Sequence, residues 1–287
     1  MAKSSAPSDP AALLAEADDR LAHGMPSPKC ELDHRNPWEL LVATILSAQA
    51  KDSVINEITP ELFRRWPGPA ELAQAPIDEL EQVVKRSGYF RNKAKAIREC
   101  AQALVERHGG EVPRDHEALI SLPGASHKTA NLVLGIAFGI ASGIVVDTHV
   151  ARVGERLGVV GESRPEAIEA ALCKLVARER WIDFSHRFIL HGRHLCTAAQ
   201  PACQDCPIAE LCPSCEHEPI GDWRDRSERE GRLAAARGDH GAAGLEPPRP
   251  ASARPPAPAS ARAPEPATEP ATKPAAKRTP PPEQDDF

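Results

Sequence analysis

Five of the eight cysteines, Cys196, Cys203, Cys206, Cys212 and Cys215, fall within 20 residues of one another. The chain opens on a polar stretch, Met1–Pro10, with no apolar leader, so it reads as intracellular. In that setting a tight group of thiols indicates a metal site rather than disulfides. The spacing Cys196-x6-Cys203-x2-Cys206-x5-Cys212 puts four thiolates in one short loop, which suits tetrahedral zinc or a [4Fe–4S] cluster. Cys203-x2-Cys206 and Cys212-x2-Cys215 also form two zinc-type knuckles without Cys196. Spacing alone leaves both ligand sets open. Cys30, Cys100 and Cys173 are scattered and read as small buried hydrophobes.

What surrounds this loop follows from which apolar residues are available. Hydrophobic residues make up 41% of the 287 and aromatics only 4%, so the core is aliphatic, which favours packed helices over sheets. Helical patterns are predicted at 11–23, from Pro37 through PWELLVATILSAQA, and at about 52–64, 77–86, 91–107, 115–121, 127–138, 148–156, 164–178 and 181–193. Gly143–Val146 reads as a connector, and the predicted architecture is all-α. No apolar run is long enough to span a membrane.

Four regions are expected. Residues 1–30 hold an N-terminal helix, 31–140 a helical domain and 141–215 a domain carrying the cysteine loop. Residues 216–287 are expected to form a Pro/Ala-rich disordered tail, since 247–287 hold almost no aliphatic side chains and cannot offset ordering entropy. The tail's basic group, Lys273, Lys277 and Arg278, could touch nucleic acid or another partner, which the sequence does not identify. Net charge is −6: −1 over residues 1–29, −3 over 30–215 and −2 over 216–287. Any nucleic-acid binding therefore rests on a local basic patch and on helix N-termini.

Leu122-Pro123-Gly124-Ala125-Ser126-His127-Lys128-Thr129-Ala130 reads as a helix, a tight turn and a second helix. Turn amides at a helix N-terminus make an anion site. Taken alone, Lys128 is a solvated charge, Asp147 an N-cap ahead of Thr148, and Gln49 an exposed helix-end amide. Together the motifs carry more. The order HGRHLC, six residues, C-x2-CP, five residues, C resembles the iron–sulfur loop of the endonuclease III family of DNA glycosylases. The LPGASHKTA, VDTHV and LSAQ segments resemble that family's helix-hairpin-helix, catalytic aspartate and base-gap segments. The resemblance covers residues 12–213.

It implies a two-lobed helix-hairpin-helix glycosylase fold and a [4Fe–4S] cluster on Cys196, Cys203, Cys206 and Cys212, with Cys215 a spare thiol. It implies a monomer that acts on double-stranded DNA containing damaged bases or abasic sites. In a bacterium that monomer would be cytoplasmic and nucleoid-associated. The implied reaction is removal of oxidised pyrimidines followed by strand cleavage. Lys128 attacks the sugar C1′ and forms a Schiff base, which needs its neutral amine, and Asp147 stabilises the developing cation and assists proton removal. His149 is structural. The DNA contacts implied are Gln49, filling the gap left by a flipped base, and Tyr89, stacking where relatives often have an aliphatic wedge. Arg91 and Lys93 serve phosphates, and Gly124, Ser126 and His127 lie in the hairpin turn.

Two departures accompany the resemblance. The stretch Thr197–Ala202 lacks the basic residues usual between the first two cysteines, so this loop should contribute weaker, less salt-dependent binding. Ser126 replaces a hairpin glycine and strains the turn if that position needs positive φ. The adenine-mismatch branch of the family needs a glutamate near Thr44 and lacks the lysine; this sequence has neither feature, which argues against that branch. The competing readings are a uracil or thymine-mismatch glycosylase and a non-catalytic iron–sulfur DNA-binding protein.

Overall fold

The computed structural model describes residues 9–161 and 164–238. It is all-helical, and no strand occurs among the described residues. Helix α1 (Pro10–Gly24) is capped by Asp9 and followed by a long link to α2 (Pro37–Leu46). Pro37 opens α2 in the first turn, and Asn36 accepts from the Glu39 amide (2.9 Å). Glu39 reaches back to the Arg35 amide (2.8 Å), so polar caps close an otherwise apolar segment. Every residue of α2 after Pro37 is buried, as expected for a helix that is apolar on all sides.

Against α2 pack α3 (Asp52–Arg65), α6 (Phe90–His108) and α8 (His127–Phe138), while α4 (Pro69–Ala73) and α5 (Ile77–Val84) pack on α6 and α7 (His116–Ile120) packs on α8. Their aliphatic side chains, with Trp38, Phe63 and Trp66, form a first hydrophobic core running from Leu32 to Leu134. A second core joins α1 to α9 (Thr148–Arg156), α10 (Pro165–Leu175) and α11 (Trp181–His194). Ile144, Val145 and Val146 of the connector are buried in that second core. Leu132 of α8 touches both cores, and Gly135 lets α8 approach Ile182 of α11, where an added Cβ would meet its side chain at 3.3 Å. Helix α8 is thus the element shared between the two.

Two expectations need correction here. The helix starting at Pro37 stops at Leu46, because Ser47 turns back on it: its Oγ bonds the Thr44 carbonyl (2.9 Å) and its carbonyl accepts from Ala50 (3.0 Å). The tail expected from residue 216 does not start there, since Trp223–Gly238 form a further helix, α12, packed on α1 and α11. Its contact face consists mainly of polar residues whose partners lie far away in sequence. The Pro/Ala-rich stretch 247–287 lies outside the described residues. No helix among the described residues is long and apolar enough to cross a membrane.

Candidate active site and cysteine loop

The hairpin is built by α7, the turn Ser121–Ser126 and α8. Gly124 has φ +79°, and a Cβ there would press on Ala96 (3.0 Å) and Ile45 (3.1 Å), so glycine is required on both counts. Those neighbours tie the hairpin turn to the end of α2 and to α6. Ser126, by contrast, is extended at φ −118° and caps α8, its Oγ accepting from the Thr129 amide at 3.2 Å. The second hairpin glycine is therefore dispensable, and serine in its place provides the cap. Gly124, Ser126 and His127 are exposed, and the His127 ring packs against His116 with centroids 5.2 Å apart.

Lys128, the second residue of α8, is half-buried and lines a cavity together with Asp147. Thr44 and Leu132 line it as well, and so do Glu31, Asp52 and Arg193. Asp147 is the N-cap of α9. Its Oδ1 accepts from both His149 (2.8 Å) and Val150 (2.9 Å), which orients the carboxylate and leaves Oδ2 outside the cap. The N-termini of α8 and α9 thus both open near this cavity, bringing the positive ends of two helix dipoles to it. His149 is half-buried against Arg152 (Nδ1 to Nη2, 3.1 Å), and burial leads the causes that hold its imidazole below the ordinary value.

Gln49 and Tyr89 are exposed and, among the described residues, are the non-glycine residues with positive φ, at 55° and 46°. Side chains held in this conformation stand on tight turns whose strain the surrounding structure supports. Tyr89 is 71% exposed. Arg91 extends into solvent, paired loosely with Glu81 at 3.8 Å and lying over the Phe90 ring at 5.6 Å. Lys93 does not follow it. It is buried, and its Nζ donates to the Ser87 carbonyl at 2.5 Å, bracing the turn under Tyr89. Burial holds its ammonium below the usual lysine range. The expected phosphate contact is corrected to a structural brace, because α6 turns this position inward.

Sequence reasoning missed Glu31, Asp52, Arg193 and His194. Arg193 of α11 pairs with Glu31 and with Asp52 (2.7 Å), while His194 Nε2 lies 2.9 Å from Glu31. This network links the second core to the segment entering the first. Arg193 and His194 lie inside the HGRHLC segment, but nothing in local pattern pairs them with Glu31 and Asp52, more than 140 residues before them.

All eight cysteines are free thiols. Cys196, Cys203, Cys206, Cys212 and Cys215 line one cavity that contains no carboxylate, a lining suited to a soft, thiolate-bound centre. Among the described residues no three His, Cys, Asp or Glu side chains are already set as ligands to one ion. Helix α9 cradles the loop: Arg152 donates to the Cys196 carbonyl (3.0 Å), and Arg156 to the Thr197 carbonyl (2.8 Å) and to Cys196 Sγ (3.1 Å). Burial alone would raise the Cys196 thiol, but His191 and Arg156 outweigh it and hold it below the ordinary value. Burial pushes Cys203 and Cys212 up to about 11. A bound cation would reverse that preference for the neutral thiol.

A hairpin feeding a lysine and a capped aspartate into one groove, with a cysteine loop held by the aspartate's helix, defines a helix-hairpin-helix repair protein. Residues 42–178 match the HhH-GPD superfamily base excision DNA repair protein family. Endonuclease III of Synechocystis sp. is 47% identical over 191 residues, covering 67% of this chain and 87% of that protein. The Bacillus subtilis endonuclease III is 43% identical over 195 residues, 68% of this chain and 89% of that one. A solved structure of a trapped endonuclease III–DNA covalent intermediate superposes with a TM-score of 0.68 at 40% identity, covering 71% of this chain and 96% of that one. The chain belongs to the endonuclease III family, the DNA glycosylase/AP lyases of base excision repair.

Proposed function

We propose that this chain removes oxidised pyrimidines from duplex DNA and cleaves the strand 3′ to the resulting site, with Lys128 as nucleophile and Asp147 as its partner. The observation that carries this reading is the meeting of both side chains at one cavity, each at a helix N-terminus. The neutral Lys128 amine attacks C1′ as the base leaves, forming a covalent adduct that opens to a Schiff base. Loss of a C2′ proton then expels the 3′ phosphate, and water releases the sugar from the enzyme. Asp147 Oδ1 is committed to the α9 cap, so Oδ2 is the oxygen that faces the cationic sugar and handles the proton.

Gln49 and Tyr89 occupy the space left by the extruded nucleotide, and the exposed hairpin and Arg91 receive phosphates. The substrate is double-stranded DNA, and the working form is a monomer in the cytoplasm. Cys196, Cys203, Cys206 and Cys212 hold a [4Fe–4S] cluster, which supplies structural cross-linking of the loop when bound. The free thiols, the cavity without carboxylates and the loop's arginine cradle support that assignment.

Borohydride trapping on an abasic duplex tests the chemistry. Wild type forms a covalent complex and Lys128→Ala does not; no trapping by wild type leaves only the binding protein. A panel of duplexes carrying oxidised pyrimidines, uracil or mismatched thymine then decides the substrate.

A further inference from the structure

The motifs that carry the resemblance end at Cys212, and α12 begins after them. Its sequence, WRDRSEREGRLAAARG, reads as a solvated charged helix. Three of its polar side chains are nonetheless fully buried: Arg226, Ser227 and Glu230 are 0%, 1% and 1% exposed. Buried charges persist only where partners meet them. Here, apart from carbonyls of the link just before α12, each partner belongs to the cysteine loop or to the helices that hold it.

Arg226 Nε donates to the Cys206 carbonyl (2.9 Å), and its other nitrogens hold the Gly221 carbonyl and the Glu210 carboxylate. His191 Nδ1 donates to Glu230 Oε1 at 2.6 Å, and the far nitrogen of the same imidazole lies 3.8 Å from Cys206 Sγ. Glu230 therefore sets the orientation of a ring that abuts a cysteine sulfur. Such outer partners govern how firmly a centre's ligands are held. From the opposite side Arg20 of α1 grips the Pro207 carbonyl (3.4 Å) and Glu210 (3.0 Å).

Helix α12 is fastened to α1 at a crossing where the two backbones nearly touch. Ser227 Oγ accepts from the Gly24 amide (2.9 Å) and donates to the Arg20 carbonyl (2.5 Å). A Cβ on Gly231 would lie 2.0 Å from the Gly24 carbonyl oxygen, so only glycine permits this approach. The buried Glu230 Oε2 has no partner. Packing alone does not explain a carboxylate kept there, whereas orienting His191 does.

We propose that α12 is a lock on the cysteine loop. By fixing the Cys206 backbone and the His191 ring it sets how long the chain retains its metal centre, and it takes no part in bond breaking at Lys128. Glu230 and Arg226 are positioning residues in this scheme. The proposal rests on the reading of the loop as an iron–sulfur site.

The test uses the full chain purified without oxygen, following metal release to an excess chelator and the visible absorbance together. Glu230→Ala breaks the contact to His191, and Gly231→Val wedges α12 from α1 without touching the loop. Both should release metal about 10- to 100-fold faster than wild type. Glu230→Gln, which keeps an oxygen for His191, and Leu233→Ala on the helix's open face should release at the wild-type rate. Freshly loaded Glu230→Ala should still trap abasic DNA. Should Gly231→Val fail to fold, the Glu230 pair decides. Wild-type release from Glu230→Ala, or equal acceleration in Leu233→Ala, overturns the lock. Wild type carrying zinc without visible absorbance sinks the iron–sulfur reading alone, because zinc release then tests the lock in the same way. Wild type carrying neither metal overturns both.

Discussion

Replacing Glu31 with Gln should lower stability by an amount that depends on pH in a calculable way. Glu31 lies in the link before α2 and faces Arg193 and His194 at the end of α11, so its contacts cross from one core to the other beside the cavity of Lys128. Burial alone would raise its carboxyl, but His194 and Arg193 outweigh burial and lower it from 4.5 to about 2. The side chain is only 13% exposed, so solvent screens the pair weakly. A drop of this size corresponds to about 3 kcal/mol held by the ionised form at pH 7. Because the folded value is depressed, that contribution is complete above the ordinary value of 4.5 and is lost as pH falls towards 2. Glu31→Gln keeps the shape and one acceptor but not the charge, leaving Arg193 with Asp52. Urea unfolding should therefore show the variant about 3 kcal/mol less stable at pH 7, with about half of that deficit gone by pH 3 and nearly all of it by pH 2, at constant m. An equal deficit at pH 7 and pH 3 would mean shape rather than charge sets the cost. A deficit below about 0.5 kcal/mol at pH 7 would mean the bridge is no stronger than a surface pair.

Arg91→Ala should reduce the slope of log K against log salt by about 0.9 for duplex binding, as loss of one phosphate contact requires. Lys93→Met should leave that slope unchanged and instead cost about 1–2 kcal/mol of folding stability, because the buried Ser87 carbonyl loses its donor. Gly124→Ala should cost about 1–3 kcal/mol by thermal or urea unfolding, from its positive φ and the contacts with Ala96 and Ile45. At Asp147, Asn should keep the α9 cap while Ala loses about 1 kcal/mol, yet both should lose trapping on abasic DNA. Trapping by Asp147→Asn at the wild-type rate would reduce the residue to a cap.

Much of this architecture is written locally. Pro37, Gly124 and Asp147 mark their helix boundaries by chemistry that needs no tertiary context, which is why the hairpin and α9 are readable from the chain. The end of α2 is not, since Ser47–Ala50 are acceptable helix residues and only the fold turns them aside. Lys93 sits in a run of alternating basic residues, and only the packing of α6 shows that one points inward. Helix α12 is the extreme case. Its buried face consists of Arg226, Ser227 and Glu230, whose partners Cys206, Gly24 and His191 lie 20, 203 and 39 residues away. A polar face that is buried by polar partners leaves no hydrophobic period to detect.

The same distinction bears on how a chain of net charge −6 handles a polyanion. Its cysteine loop carries no cation between Cys196 and Cys203, and the arginines against it, Arg152, Arg156 and Arg226, are spent on the loop's own carbonyls. What remains near the cavity, besides the lysines Lys29 and Lys128 that line it, is backbone: the free amides at the start of α8, with Ser126 capping, and the N-terminus of α9, fixed by Asp147. These dipole ends act over one helical turn and do not depend on net charge. Helix α9 carries Asp147 at its first end and clasps Cys196 through Arg152 and Arg156 at its other. Loosening the cysteine loop therefore acts on the carboxylate through a single rigid element.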